Sequence, residues 1–353
     1  MTTAPGRLGD PSSSLGTDPR TDPRLRAALA AFGLDAQAAP VPLTTSSPRE
    51  ELLGFCKAAE EGFEGLFTAL QTGAAEVTGV EKSTTSCTAS DGHEITLYIS
   101  KPAGASGPLP GVVHYHGGGM VLLEATSGAY VPWRDKIAAA GCVVVGVEFR
   151  NGGGNQGVHP YPTPADDCAD ALRWVYANRA SLGISHIVIS GDSGGGNLTL
   201  STALRANRDG WINEIAGIYA QCPYIQDPRD KANALPSMAE NNAYFIEEDQ
   251  LGLLAEIYDP EGKHAHEMLC WPFNAQEADL AGLPPTVISV NELDPLRDQG
   301  LAFHRRLLAA GVSSVGRIVV GTCHTGDTAF SAAIPDIQAA TVRDIAGFAR
   351  SLA

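Results

Sequence analysis

The spacing of hydrophobic positions along the chain changes near residue 80. Before that point, residues 25–34 and 49–73 place Leu, Phe and Ala at helical intervals, with no strand candidate between them. After it come short apolar runs at 94–100 and 111–116, followed by CVVVGVEF at 142–149. The last run is continuously apolar, which is typical of a strand buried on both faces of a sheet. The pattern predicts a helical leader followed by a sheet.

Helix and strand candidates alternate through the rest of the chain. Alternation of this kind predicts an α/β fold, with a mostly parallel, twisted sheet and helices on both of its faces. The segment from about 223 to 285 breaks the alternation, because it holds helical pieces but no clear strand, and we interpret it as an insertion over one end of the sheet. The alternating candidates are helices at 164–180, 197–207, 301–311 and 337–353 and strands at 186–190, 215–220, 286–292 and 317–321.

Composition sets the first residues of the chain apart from the rest. Residues 1 to about 25 are rich in Pro, Ser, Gly and Asp and carry no periodicity, which predicts an arm that is loose unless it packs on the body. We therefore predict an N-terminal arm and helical segment over 1–79. The α/β domain is predicted over 80–353, with the insertion at about 223–285 inside it.

Charge and cysteine content narrow the classes of function. The 353 residues include 40 acidic and 24 basic side chains, a formal net charge of −16, without a Lys/Arg cluster, so a nucleic acid would be repelled. No stretch approaches the roughly 18 apolar residues of a membrane-spanning helix, and the first residues lack the apolar core of an export signal. Seven scattered cysteines without a C-x-x-C pair argue against a disulfide framework and a thiolate zinc site. We expect a cytoplasmic protein without a membrane span.

Ser193 lies in a glycine-rich junction, ISGDSGGGNLTL at 189–200, between a strand candidate and a helix candidate. Residues 191–195, GDSGG, fit G-x-S-x-G, the sharp nucleophile elbow in which glycines prevent collisions around an exposed serine. The helix that follows would direct N–H groups and the positive end of its dipole at the site. The alternatives are an incidental serine in a flexible turn and a phosphate-binding loop, although the latter needs a Lys that does not follow. The context favours Ser193 as a nucleophile.

A second glycine pattern, GGGNQG at 152–157, fits the G-x-G-x-x-G of dinucleotide-binding loops. That fingerprint requires a helix to open directly after it, whereas Pro160, Pro162 and Pro164 delay any helix. We therefore reject a dinucleotide site and expect no cofactor.

The stretch HGGG at 116–119 is the second candidate for chemistry. Ester cleavage builds negative charge on the attacked carbonyl oxygen, and backbone N–H donors aimed at that oxyanion contribute about 3–4 kcal/mol each. His116, Gly117, Gly118 and Gly119 follow a strand candidate, and lipases and esterases place such a loop beside the nucleophile. Together with the amide of Gly194, the loop predicts an oxyanion hole.

A serine hydroxyl needs a base, most often a histidine that a carboxylate orients. In the fold suggested by the elbow, the partners follow in the order serine, acid, histidine. His324 comes directly after the last strand candidate, and Asp294 lies just past the preceding one. Glu292 and Asp298 are the alternative acids. The other histidines after the serine lie where no strand candidate ends: His264, His266 and His304.

Four segments together resemble the hormone-sensitive lipase family of α/β-hydrolase carboxylesterases. They are HGGGM at 116–120, GDSGGGN at 191–197, NELDPLRDQG at 291–300 and His324. The likeness runs from about residue 80 to the end, and it implies an α/β-hydrolase fold with a helical cap formed by the leader and the insertion. One departure is NGGGNQGVHP at 151–160, where many members carry Leu-Ala-Pro-Glu.

The resemblance implies a serine carboxylesterase that hydrolyses a small ester or lactone through an acyl-enzyme. It makes Ser193 the nucleophile, His324 the general base and acid, and Asp294 the orienting carboxylate. In the glycine loop it makes Gly118 and Gly119 oxyanion donors with Gly194, while Gly117 shapes the loop and His116 braces it. Two alternatives stay open, an amidase or peptidase with the same triad and a non-catalytic binding protein, because some plant hormone receptors resemble this family.

The sequence leaves the substrate and the oligomeric state open, and a homo-oligomer is one possibility. Several aromatic or flexible residues could line a pocket, although packing in the core is the alternative for each of them. They are Phe63, Phe67, Met120, Tyr244 and Phe245.

Overall fold

The strands of the computed structural model, which describes residues 10, 12–37 and 40–352, form one eight-stranded sheet. From one edge to the other their order is β1-β2-β4-β3-β5-β6-β7-β8. The strands are β1 (Val80–Thr88), β2 (Glu94–Pro102), β3 (Leu109–Tyr115), β4 (Val143–Glu148), β5 (Ile184–Asp192), β6 (Gly217–Gln221), β7 (Thr286–Leu293) and β8 (Ser314–Cys323).

Helices occur along the whole of the described chain, before, between and after the strands. They are α1 (Pro23–Ala30), α2 (Arg49–Leu70), α3 (Tyr130–Ala139), α4 (Thr163–Ala177), α5 (Arg179–Leu182), α6 (Gly194–Arg208), α7 (Pro236–Glu240), α8 (Glu248–Tyr258), α9 (Glu277–Leu280), α10 (Arg297–Ala309), α11 (Gly326–Ala329) and α12 (Pro335–Ser351).

The sheet is mostly parallel, as the alternating pattern predicts. β1, β2 and β4 pair antiparallel, and every pairing from β4 through β3 to β8 is parallel. The apolar run of β4 lies between β2 and β3, and its side chains are buried except at Glu148. Parallel strands bring their carboxyl ends to one edge of the sheet. Residues that follow β3, β5, β7 and β8 therefore lie close together.

Two elements of eight residues or more were not predicted from the sequence. β1 pairs with β2 along its whole length, from Val80 with Pro102 to Thr88 with Glu94, although its sequence VEKSTTSCT lacks an apolar run. α3 follows the glycine loop and buries Trp133 as well as Arg134. The leader is helical as expected, but its first helix ends at Ala30, earlier than the periodicity indicates.

The arm packs on the body within the residues that the structure describes. Leu15 and Asp18 are buried, and the N–H of Asp22 donates to the carbonyl of Gly321 at 3.0 Å. Residues 1–9 of the predicted arm lie outside the described residues. The predicted insertion holds α7, α8 and α9 and contributes no strand to the sheet in the described chain. The division of the chain at residue 80 stays a prediction.

Candidate active site

Ser193 occupies a sharp turn between the end of β5 and the start of α6. Its φ of 55° and ψ of −118° are rare for a residue with a side chain, and strained backbone of this kind clusters at functional sites. A Cβ on Gly191 would lie 2.3 Å from the carbonyl oxygen of Gly195, and a Cβ on Gly195 would lie 2.0 Å from that of Tyr115. Only glycine fits at both positions, so the turn has the geometry of a nucleophile elbow.

Backbone contacts fix the serine in this turn. The N–H of Ser193 donates to Gln221 at 3.0 Å, and its carbonyl accepts the N–H of Tyr224 at 3.0 Å. A Cβ on Gly196 would lie 2.9 Å from the Cα of Pro223, so this glycine lets α6 pack against the chain after β6.

Asp294 and His324 meet beside the elbow, each directly after the end of its strand. The Nδ1 of His324 lies 2.8 Å from Oδ2 of Asp294, and Oδ1 accepts the N–H of Leu296 at 2.8 Å. Both side chains are buried. A buried carboxylate held in this way orients the imidazole and leaves its Nε2 free to exchange a proton.

The two alternative acids have other partners. Oε2 of Glu292 accepts the N–H of Gly321 at 2.8 Å, at the edge where β7 and β8 end. Oδ2 of Asp298, in the first turn of α10, accepts the N–H of Ser237 at 2.9 Å. Asp298 also pairs with Arg297, and of the three acids it is Asp294 that bonds to His324.

The glycine loop after β3 turns tightly toward the elbow. Gly118 and Gly119 have φ values of 100° and 64°, in the region that favours glycine. A Cβ on Gly194 would lie 2.5 Å from the backbone nitrogen of Met120 and 2.6 Å from that of Gly119. The loop and the start of α6 are therefore in direct contact, and their backbone N–H groups are close to one another.

Gly117 has a different place from the two glycines after it. Its N–H donates to the hydroxyl of Tyr130 at 2.8 Å, and that hydroxyl in turn donates to Oδ2 of Asp192 at 3.1 Å. The N–H of Gly117 is thus engaged within the protein, which agrees with a role in shaping the loop. The sequence did not point to Tyr130, because its hydroxyl meets residues 13 and 62 positions away and no local pattern marks such a contact.

Asp192 is buried beneath the loop. Burial raises its pKa from 3.8 to about 7, against the hydrogen bond from Tyr130 that favours the charged form. Nε2 of His114 lies 3.7 Å from Oδ1 of Asp192, and burial lowers the pKa of this histidine to about 3. Asp192 therefore belongs to a buried network under the site rather than to the bond with His324.

His116 supports the loop from the other side. Its Nδ1 lies 2.8 Å from the carbonyl oxygen of Gly117, and its ring stacks on Phe149 with centroids 4.2 Å apart. Burial lowers its pKa to about 3, so the imidazole is neutral and its Nδ1–H donates to the carbonyl. These contacts agree with the bracing role that the resemblance implies.

A pocket that is partly open to solvent is lined by Ser193 and His324. Its walls are mostly apolar. Phe63, Phe67 and Phe245 line it as the sequence suggested, whereas Met120 and Tyr244 are fully buried. The remaining lining residues are Gly118, Gly119, Leu122, Leu123, Tyr130, Asp192, Ile246, Gln250, Leu251, Leu254 and Thr325.

One group of side chains in the site could in principle bind a metal. Ligand atoms of Cys222, Asp294 and His324 lie within 4.8 Å of one another. Burial raises the pKa of the Cys222 thiol well above its usual value, which keeps it protonated, and metal binding requires the thiolate. His324 and Asp294 also bond to each other, so this group fits a metal poorly.

The fold and this site define the class of protein. Residues 112–326 match the family described as alpha/beta hydrolase fold, and the chain belongs to that family. Among solved structures it is similar to brefeldin A esterase, described as a bacterial homologue of human hormone sensitive lipase. The two are 45% identical, with a TM-score of 0.94 over 99% of each chain.

Two further relatives agree. Esterase Est22 is 36% identical in sequence, with a TM-score of 0.85 over 96% of this chain and 99% of that one. Carboxylesterase NlhH of Mycobacterium tuberculosis is 34% identical over 264 residues, 73% of this chain and 79% of the relative. These comparisons confirm the predicted fold, the resemblance to the hormone-sensitive lipase family and the predicted class of enzyme, a carboxylic ester hydrolase. Within the described residues, no helix is long and apolar enough to cross a membrane.

Proposed function

We propose that the protein is a serine carboxylesterase with Ser193, His324 and Asp294 as its catalytic triad. The observation that carries the proposal is the 2.8 Å bond between Nδ1 of His324 and Oδ2 of Asp294, at a pocket that also contains the strained elbow serine. The bond leaves Nε2 of the imidazole as the atom that exchanges a proton with the serine. The relatives named esterases and carboxylesterases support the same reaction.

The first half of the reaction forms an acyl-enzyme. His324 takes the proton of the Ser193 hydroxyl while Oγ attacks the ester carbonyl carbon. The resulting oxyanion accepts N–H bonds from Gly118, Gly119 and Gly194; the backbones of Gly119 and Gly194 meet at the elbow. His324 then returns the proton to the alcohol oxygen as the bond from carbon to that oxygen breaks.

Water completes the cycle by the same route. His324 removes a proton from water, the hydroxide attacks the acyl-enzyme carbonyl, and collapse of the second oxyanion expels Ser193 with its proton restored. Asp294 stabilises the imidazolium in both halves and fixes its orientation. The products are a carboxylic acid and an alcohol, or one hydroxy acid where the substrate is a lactone.

The pocket favours an uncharged, apolar substrate. Phenylalanines of α2 and of the insertion face the serine, and the lining includes no Lys or Arg among the described residues. We propose that α2 and the insertion act together as the cap over the site. A cytoplasmic location and a homo-oligomer stay predictions.

Replacement of the serine tests the proposal. Ser193→Ala should lower hydrolysis of a p-nitrophenyl ester by about 10⁴-fold or more while the fold persists. Ser185→Ala is the matched control, because Ser185 is an exposed serine on β5, the strand that leads to Ser193. Wild-type activity in Ser193→Ala would overturn the assignment.

Two further measurements separate the alternatives. Labelling of Ser193 by an organophosphonate distinguishes an enzyme from a binding protein, because only an activated serine is phosphonylated. A matched ester and anilide pair distinguishes an esterase from an amidase, and we expect the ester to be cleaved much faster.

A further inference from the structure

Helix α2 of the leader places a buried carboxylate against the turn that follows the glycine loop. Glu60 is 1% exposed; its Oε1 accepts the N–H of Leu123 at 2.7 Å, and its Oε2 accepts the N–H of Asn155 at 2.7 Å. One side chain thus joins three segments that are distant in sequence. They are α2, the oxyanion turn (residues 117–123) and the second glycine loop (residues 151–157).

The oxyanion turn is strained and held from several sides. Met120 and Leu123 have φ values of 62° and 75°, although neither is glycine. Such conformations persist only where the surrounding contacts determine them. The N–H of Gly152 donates to the carbonyl of Met120 at 2.9 Å, and the side-chain amide of Asn151 donates to the carbonyl of Leu123 at 2.6 Å. Glu60 supplies the acceptor for the Leu123 N–H in this framework.

The second glycine loop is shaped to admit α2. Gly154 has a φ of 68°, and a Cβ at this position would lie 2.8 Å from Oε2 of Glu60. A Cβ on Gly153 would lie 3.1 Å from Sγ of Cys56, one helical turn earlier on α2. This loop is the segment in which the chain departs from the family pattern. Its glycines and the leader helix therefore fit each other.

We propose that Glu60 is a positioning residue that sets the oxyanion turn for catalysis, an inference that rests on the proposed function. The N–H groups of Val121 and Leu122 both donate to the carbonyl of Gly118 at 3.1 Å, so the turn is one hydrogen-bonded unit that includes this donor glycine. Stabilisation of an oxyanion depends steeply on the placement of its donors. Glu60 holds one end of the unit through Leu123.

A carboxylate is required because two N–H groups converge on it from different segments. Glutamine has one acceptor oxygen, and its NH₂ group would face an N–H group in place of the other. Glu60→Gln therefore keeps the size of the side chain and breaks one of the two bonds. Glu61→Gln is the matched control, since Glu61 is an exposed neighbour on the same helix.

The experiment measures the esterase activity of both variants and the wild type well below their unfolding temperatures. Each activity is divided by the amount of reactive serine, which is titrated with an organophosphonate. Glu60→Gln should lower kcat by about tenfold with a smaller change in KM, because the loss falls on the transition state. Its affinity for a trifluoromethyl ketone, which forms an oxyanion on the serine, should fall in parallel. Glu61→Gln should match the wild type in both measurements.

Other outcomes overturn the inference in distinct ways. If Glu60→Gln unfolds more easily but keeps wild-type kcat and ketone affinity per serine, Glu60 is only structural. If that variant does not fold, Gly154→Ala replaces it, since the new Cβ would displace the carboxylate, and the same two readouts decide. Wild-type activity in Ser193→Ala would overturn the proposed function and this inference together.

Discussion

Two pairs of an acid and a histidine, both largely removed from solvent, lie near the oxyanion turn. Asp192 lies 3.7 Å from His114, and Glu148 lies 3.8 Å from His116. Burial raises the pKa of each acid to about 7 and lowers the pKa of each histidine to about 3. Burial disfavours the charged form of every member, so at mildly acidic pH these residues are neutral.

The acids and the histidines have opposite effects on stability. Between pH 4 and 7, folded Asp192 retains a proton that the unfolded chain has released, so its contribution to stability falls as pH rises. Between pH 6.5 and 3, unfolded His114 binds a proton that the folded chain excludes, so stability falls as pH falls. The two contributions offset each other in the shared range.

Replacement of the acid alone should reveal this balance. Asp192→Asn keeps an oxygen that accepts from Tyr130 but cannot ionise. Relative to the wild type, the free energy of unfolding of Asp192→Asn should therefore rise between pH 5 and pH 8, which urea titrations at several pH values would measure. Asp249→Asn is an exposed control whose difference from the wild type should stay constant. A constant difference for Asp192→Asn as well would contradict the shifted pKa.

Sequence reasoning predicts the residues whose chemistry follows from their position after a strand. Ser193, Asp294 and His324 each follow directly on a strand end, so the order of strands and the chemistry of acyl transfer are enough to select them. Tyr130 and Glu60 are different, since a tyrosine and a glutamate on helices are ordinary residues until the fold brings them to a backbone N–H.

Among the elements, α2 combines support of the loop with lining of the pocket. The ring of Phe63 is tilted against that of Phe67 with centroids 5.8 Å apart, and it meets Phe245 of the insertion edge-on at 6.4 Å. All three line the pocket over the serine. The ring of Phe63 therefore limits the room for the apolar part of a substrate.

Truncation of this ring should change substrate preference. Phe63→Ala should raise kcat/KM for longer or bulkier p-nitrophenyl esters relative to the acetate, because a removed ring opens space beside the serine. Rates over a series of acyl lengths would measure the shift. Phe32→Ala removes an exposed phenylalanine elsewhere in the leader and should leave the ratio unchanged. An unchanged ratio in Phe63→Ala would show that another residue sets the limit.

The sequence did not predict β1 and α3 for one physical reason, the lack of a hydrophobic pattern in either element. β1 is an edge strand whose residues are mostly exposed or half-buried, so pairing with β2 holds it and hydrophobic alternation does not. α3 buries polar Arg134 and Asp135 along with apolar Trp133, so its buried face has no hydrophobic stripe. The strands predicted from apolar runs lie in the interior of the sheet, except β8, which forms the edge opposite β1.

Across the whole molecule, the arm connects parts of the chain that lie far apart in sequence. Asp18 is buried and accepts from Arg20 at 2.7 Å and from the hydroxyl of Tyr244 at 3.0 Å. Arg20 also pairs with Glu240 of α7, which in turn pairs with Arg297 of α10 at 2.7 Å. This network joins the arm to the insertion and to the helix that follows Asp294.

Asp18 is the centre of that network. Burial raises its pKa, but hydrogen bonds from Arg20 and Tyr244 outweigh burial, so the pKa lies below its usual value and the carboxylate is charged. Asp18→Asn should lower the free energy of unfolding by about 2 kcal/mol, because a buried bond to a charged partner is lost. It should also speed cleavage of the arm in limited proteolysis, since the arm loses its main polar contact.

The pair of Arg24 and Asp336 provides the control for this prediction. It too joins the leader to the body, but both side chains are largely exposed, at 46% and 66%. Solvent screens such pairs, so Asp336→Asn should leave stability and proteolysis nearly unchanged. Equal effects of the two substitutions would show that the stability of the arm depends on charge across the leader and does not depend on the burial of Asp18. A larger effect of Asp18→Asn would show that the arm is part of the folded body because its carboxylate is buried and paired.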